Sequence, residues 1–247
     1  MGNKRNTQII NGNYCSKCEE SLELPRIDGH YMLHEIQHII HFEKGIFYTI
    51  KELLLRPGQN VKMFITKNRS RLIKPVVFII ITSLIYTIIN NIFHIESGYI
   101  NFEDTNNVNN SSQSSIGGIF NWIQDHYGYA NIVVGMFIAF WLRLFFKKYD
   151  YNFFEILILL CFVMGIDMLL FAIFAILEGL THFHLMQISG FIGIAYSTWA
   201  IGQFFDEYNL VSYIKSFFAY SIGMLTFSFS ALLLGGVIDF LQKIKIP

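Results

Sequence analysis

FFEILILLCFVMGIDMLLFAIFAIL, residues Phe153–Leu177, is the stretch that decides the fold; its only charged side chains are Glu155 and Asp167. A helix of roughly 20 apolar residues crosses a hydrocarbon core of about 30 Å, and this run exceeds that length. Inside lipid every backbone N–H and C=O must be satisfied within the segment, so the run reads as a helix. Working outward, four more runs have the same character: Pro75–Phe93, Tyr127–Phe146, Leu185–Phe205 and Phe217–Phe240. The chain is 53% hydrophobic and only 15% charged, which excludes an ordinary soluble domain. The expected fold class is therefore all-α, a polytopic membrane helical bundle of about five transmembrane helices.

Charge gives the expected topology. Residues 1–74 carry a net charge of +5 and residues 75–247 a net charge of −5. Lys62, Lys67, Arg69, Arg71 and Lys74 crowd the entry to the first span, and they are the candidates for contact with lipid headgroups. The loop from His94 to His126 has no Lys or Arg, whereas Arg143, Lys147 and Lys148 mark the next connection. Glu178–His184 again lacks both. This alternation follows the positive-inside rule and predicts a cytoplasmic N-terminus and an external C-terminus. Met1–Asn13 has no apolar core of the kind a signal peptide carries, so the first membrane helix is expected to serve as an uncleaved signal.

Three regions result: a small polar head (1–42), a juxtamembrane segment (43–74) and the membrane domain (75–247). In the juxtamembrane segment Ile46, Phe47, Ile50, Leu53 and Leu54 share one broad helical face. Arg56-Pro57-Gly58 ends that helix, because proline disfavours helical geometry in the residue before it. A second helix restarts with Val61, Phe64 and Ile65. Two surfaces compete for these faces, the membrane interface and the protein's own spans. Asn106–Ser115 reads as an external Asn/Ser-rich loop, followed by an interfacial anchor over Ile116–Ile123. Small residues in the last two runs, among them Ser189, Gly193, Gly202 and Gly223, predict close helix packing. Cys161 reads as a small apolar packing residue.

The head holds the residues with the sharpest chemistry. Cys15 and Cys18 form a C-x-x-C pair, and His34 and His38 follow one helical turn apart. Two thiolates and two imidazoles at such spacing match a structural zinc site, which would hold together a region with few apolar residues. His30 and His41 are alternative ligands. The same stretch, His34-Glu35-Ile36-Gln37-His38, also spells the H-E-x-x-H of zinc metalloproteases, in which Glu35 would activate a water. That reading needs an open coordination position, which Cys15 and Cys18 would close. The third alternative is that the head binds no metal.

Tyr14-Cys15-Ser16-Lys17-Cys18, Lys44-Gly45-Ile46-Phe47-Tyr48-Thr49-Ile50-Lys51-Glu52-Leu53, Arg56-Pro57-Gly58 and Lys74-Pro75 together resemble an uncharacterised bacterial membrane family of unknown function. Its members join a cysteine-pair zinc ribbon to a K-G-F-x-x-T-x-K-x-L-x-x-R-P-G segment and several transmembrane helices. The resemblance covers residues 14–80 and implies architecture and a bacterial inner (plasma) membrane, not an activity. This chain has one cysteine pair where members often have two, which leaves histidines as the obvious replacement ligands.

Asp167, mid-span, is the intramembrane polar candidate. A charged carboxyl there costs about 2.5–3.5 kcal/mol on insertion scales, so it should face the bundle or be protonated. Its functional reading is a proton or cation relay; its structural reading is a hydrogen bond to a Ser, Thr or Tyr of another span. On the external side His94, Glu96, Asp125, His126, Glu178, His182 and His184 would form either a solvated rim or a divalent-cation site. Walker A, dinucleotide-binding and nucleophile-elbow motifs are absent. Membrane lipid is the expected partner, with a cytoplasmic protein or a second copy of the chain as further ones and nucleic acid as none. The leading functional expectation is a non-enzymatic scaffold or small-solute/ion-handling membrane body with a docking head. The alternatives are a membrane zinc metalloprotease using residues 34–38 and a cation transporter or channel using Asp167.

Overall fold

The computed structural model describes residues 45–93, 115–181 and 183–245. These form eight α-helices and no strand: α1 (Ile46–Leu55), α2 (Pro57–Thr66), α3 (Pro75–Phe93), α4 (Ser115–Asp125), α5 (Tyr127–Phe145), α6 (Phe153–Thr181), α7 (Met186–Asp206) and α8 (Leu210–Lys245). A single 3-10 turn, Lys147–Tyr149, lies between α5 and α6.

Helix α6, the most apolar run of the chain, is the central post of the bundle. Every residue from Glu155 to Met168 is buried, and α3, α5 and α7 pack around it while α1 and α2 close one end. A helix apolar on all sides is one that other helices surround. Its start is fixed by a reciprocal capping box: the Glu155 N–H donates to Asn152 Oδ1 (2.8 Å), and the Asn152 N–H donates to Glu155 Oε2 (2.8 Å). This accounts for a buried acid near a membrane-helix end. In the core Phe162 meets Phe64 edge-on at 5.4 Å and Phe78 at 5.8 Å. An alanine-sized group on Gly165 would stand 2.6 Å from the Phe78 ring, so α3 and α6 touch where α6 has no side chain.

Four helices, α3, α5, α6 and α8, are long and apolar enough to cross a membrane. The expected fifth span, Leu185–Phe205, is present as the 21-residue α7, but it does not reach the apolarity of the other four. Three of its polar side chains have protein partners instead. Ser189 Oγ donates to the Met186 carbonyl (2.6 Å) and Ser197 Oγ to Asp167. The Gln203 side chain accepts from the Gly58 N–H (2.9 Å). The last span begins earlier than its hydropathy indicates, at Leu210 rather than Phe217. Ser216 Oγ returns a hydrogen bond to the Ser212 carbonyl (2.7 Å), and both serines are buried against the bundle.

The juxtamembrane helices form a collar at the end of the bundle that also carries Lys147 and Lys148. Pro57 takes the first helical position of α2, where its missing N–H costs nothing. The Asn60 side-chain amide donates to the carbonyls of Glu52 (2.7 Å) and Arg56 (2.9 Å), satisfying the end of α1. Gly58 sits directly on the α7 backbone; a Cβ there would lie 2.3 Å from the Phe204 nitrogen, so only glycine allows this approach. Of the two surfaces competing for these amphipathic faces, α2 takes the protein: Val61, Phe64 and Ile65 are buried. Helix α1 divides, burying Leu53 while Phe47 and Leu55 stay exposed. Beside the collar an aromatic cluster joins the ends of α5 and α7, with Phe146 stacked on Phe205 at 3.9 Å. Tyr151 packs against Phe204 there, and burial raises its pKa above the ordinary tyrosine value.

Candidate functional site

Asp167 is 3% exposed, in the buried middle of α6. One carboxylate oxygen, Oδ2, accepts a hydrogen bond from Ser197 Oγ of α7 at 2.5 Å. The other, Oδ1, is buried and has no hydrogen-bond partner among the described residues. A buried polar atom without a partner costs free energy, and such an atom in a native fold calls for a ligand or a strained purpose.

The space beside Oδ1 is a cavity of about 460 Å³ between α5, α6, α7 and α8. Asn131 and Val134 line it from α5, Met164, Met168 and Phe171 from α6, and Tyr220, Ser221 and Met224 from α8. From α7 it is lined by Gly190 and Gly193. A Cβ on Gly193 would stand 3.0 Å from the Phe171 ring and 3.6 Å from Asp167 Oδ1, whereas one on Gly190 would meet nothing within 4 Å. Tyr220 is 7% exposed and forms part of the wall from α8. A second hollow, about 470 Å³ between α5, Phe153 and α8, is lined by Met136, Phe137, Phe140, Trp141 and Thr226. It has no such polar vacancy, because the Thr226 hydroxyl donates to the Gly223 carbonyl and accepts from the Trp141 indole N–H.

One hydrogen bond links the collar to α7 next to this site. The Tyr196 hydroxyl donates to the Leu53 carbonyl at 3.2 Å, and the next residue along α7 is the Ser197 that binds Asp167.

The other residues singled out in the sequence are distributed as follows. Cys15, Cys18, His34, Glu35 and His38, together with His30 and His41, lie outside the described residues, as do His94, Glu96 and His182. Among the described residues no three His, Cys, Asp or Glu side chains converge as a metal site, so His126, Glu178 and His184 do not gather into one. Glu178 is structural. Its Oε2 accepts the Met186 N–H (2.8 Å) at the start of α7, where a negative charge suits the helix N-terminus. Cys161 is buried. Lys62 and Lys67 are exposed on α2 and just beyond it. Arg71 is engaged within the collar: it pairs with Glu52 at 2.6 Å and donates to the Tyr48 hydroxyl at 3.2 Å. The Tyr48 hydrogen bond, followed by the Glu52 charge, raises the guanidinium pKa further.

A helix bundle with four bilayer-length apolar members and an acid at mid-height is an integral membrane protein. Residues 43–87 match the family model described as "Protein of unknown function (DUF3667)". That segment is α1, α2 and the first two-thirds of α3, so the collar and its junction with the bundle are the part of this chain similar to that family. No curated protein and no solved structure matches the chain.

Proposed function

We propose that this is a multi-pass protein of a bacterial inner membrane that binds and passes a small cation or proton at Asp167. The observation that carries the reading is Oδ1 of Asp167: buried, unpartnered among the described residues and beside a pocket of about 460 Å³ between α5, α6, α7 and α8, whose outer wall is the exposed Ile194 and Leu225. An intramembrane acid that opens onto a cavity is a functional group by default, since a purely structural role would be served by a fully hydrogen-bonded or apolar side chain. Ser197 fixes one oxygen and leaves the other for the solute. The basic collar end lies on the cytoplasmic side in this reading, in keeping with Arg143, Lys147 and Lys148 at the same end. Exposed Lys51, Lys62 and Lys67, with Phe47 and Leu55, suit contact of the collar with anionic headgroups.

The test is flux of H⁺, Na⁺, K⁺ and 2-phenylethylammonium into proteoliposomes containing the purified full-length protein. Asp167→Asn should abolish a saturable flux of one of these ions while the protein still elutes as a single species in detergent. Equal flux in the two proteins would remove Asp167 from the mechanism.

A further inference from the structure

We propose that the solute held at Asp167 is an organic ammonium ion, a primary amine carrying an apolar body, rather than a bare metal cation. The inference rests on the reading of Asp167 as a cation site and names the class of cation. Three features of the cavity point to it.

The first is the ligand count. A dehydrated hard metal cation is held by about six oxygen ligands. Here one carboxylate oxygen of Asp167 is unpartnered among the described residues, and the other oxygen-bearing side chains on the wall are Asn131, Tyr220 and Ser221, which falls short of six. The Asn131 amide nitrogen is already turned to Ser83 Oγ at 3.4 Å. A primary ammonium group needs fewer acceptors, and one of its N–H groups supplies the donor that Oδ1 lacks.

The second is the wall chemistry. Phe171 and Tyr220 present aromatic rings, whose faces attract cations in a desolvated site. Met164, Met168 and Met224 add polarizable, unbranched side chains that adapt to an alkyl or aryl group. Apolar walls with a single acid and aromatic neighbours favour a charged nitrogen attached to hydrocarbon.

The third is size. About 460 Å³ is far more than one ion requires and falls in the range of roughly 300–1,000 Å³ typical of pockets for organic ligands. Gly190 and Gly193 line that volume without a side chain, and a Cβ on Gly190 would meet nothing within 4 Å.

The probe is 2-phenylethylammonium chloride, titrated calorimetrically into the full chain in lipid nanodiscs, with empty nanodiscs as the blank. Saturable binding is expected. 2-Phenylethyltrimethylammonium, which keeps the charge and has no N–H, should bind at least about tenfold more weakly, as should neutral 2-phenylethanol, because each lacks part of a charge-assisted hydrogen bond. Asp167→Asn should lose about tenfold or more by the same argument. Gly190→Phe, which leaves the carboxyl in place and fills the cavity, should lose binding to a similar extent, and it keeps the test alive should Asp167→Asn fail to assemble. Binding of equal strength in wild type and Gly190→Phe would mean partition into lipid and would overturn the proposal. Ion flux that depends on Asp167, without any binding of the amine or competition by it, would overturn the ammonium assignment and leave the cation site standing. Loss of neither flux nor amine binding in Asp167→Asn would remove both.

Discussion

Helices α6 and α8 are both long apolar membrane helices, and they turn their hydrophobicity toward different surroundings. In its most apolar window α6 is 78% buried inside the protein, and α8 only 17%. Phe162 of α6 is fully enclosed, whereas Phe229, Leu233 and Leu241 of α8 face outward. Hydropathy does not separate these two fates, because lipid tails are as apolar as leucine and exert no hydrophobic force between helices. What separates them is position: α3, α5 and α7 surround α6, whereas α8 packs on α4, α5 and α7 from one side. Helix α6 holds the bundle's internal carboxyl and its capping box. Helix α8 contributes one working face, with Tyr220, Ser221 and Gly223, and leaves the other to the surroundings.

The largest expected effect in a test of that contrast comes from glycines. Gly165→Leu would drive atoms into the Phe78 ring and should prevent stable assembly, since overpacking costs about 1–3 kcal/mol even for milder insertions. Gly236→Leu on α8 meets nothing within 4 Å and should leave the detergent melting temperature nearly unchanged. If both are tolerated, α6 is not the tight centre of the bundle. Next is Phe162→Ala, which should destabilise by about 3–5 kcal/mol, a loss readable as a lowered midpoint in denaturant titration. Ser197→Ala follows at about 1–3 kcal/mol, because Asp167 would lose the hydrogen bond that Ser197 donates; a smaller loss would show that the carboxyl is held by something else. The smallest effect belongs to Phe229→Ala, 63% exposed in the protein, expected within about 0.5 kcal/mol of wild type. A large loss there would show that α8 is covered by another protein surface.

Much of the helix framework is legible in the amino acids. Pro75–Phe93 is helical over the whole range its composition indicates, since a proline opens it and apolar residues fill it. Helix α6 runs past Leu177 to Thr181 because Glu178, which reads as the start of a loop, caps α7 instead. Polar serines and a tyrosine hide the first turns of α8, because hydropathy counts a hydroxyl as polar even when it returns a bond to its own helix. The same count sets α7 below the other spans, although its Ser189 and Ser197 hydroxyls are bonded within the bundle. At the site, Asp167 stands out because acids are rare at mid-membrane. A hydroxyl partner from another span is foreseeable, but its identity as Ser197 is not, since sequence spacing does not say which faces of two separate helices meet. Tyr220, Gly190 and the cavity between them carry no local motif at all. The Cys15, Cys18, His34, His38 zinc expectation falls on residues outside those described.

The length of α8 decides how it stands in the bilayer. Its apolar run, Phe217–Phe240, follows Lys215 and has a contour of about 36 Å at roughly 1.5 Å per residue. A hydrocarbon slab is about 30 Å thick, and helices lean by up to about 40°. A lean within that range fits rod to slab. The carboxyl-terminal post thus stands aslant rather than upright in a slab of that depth.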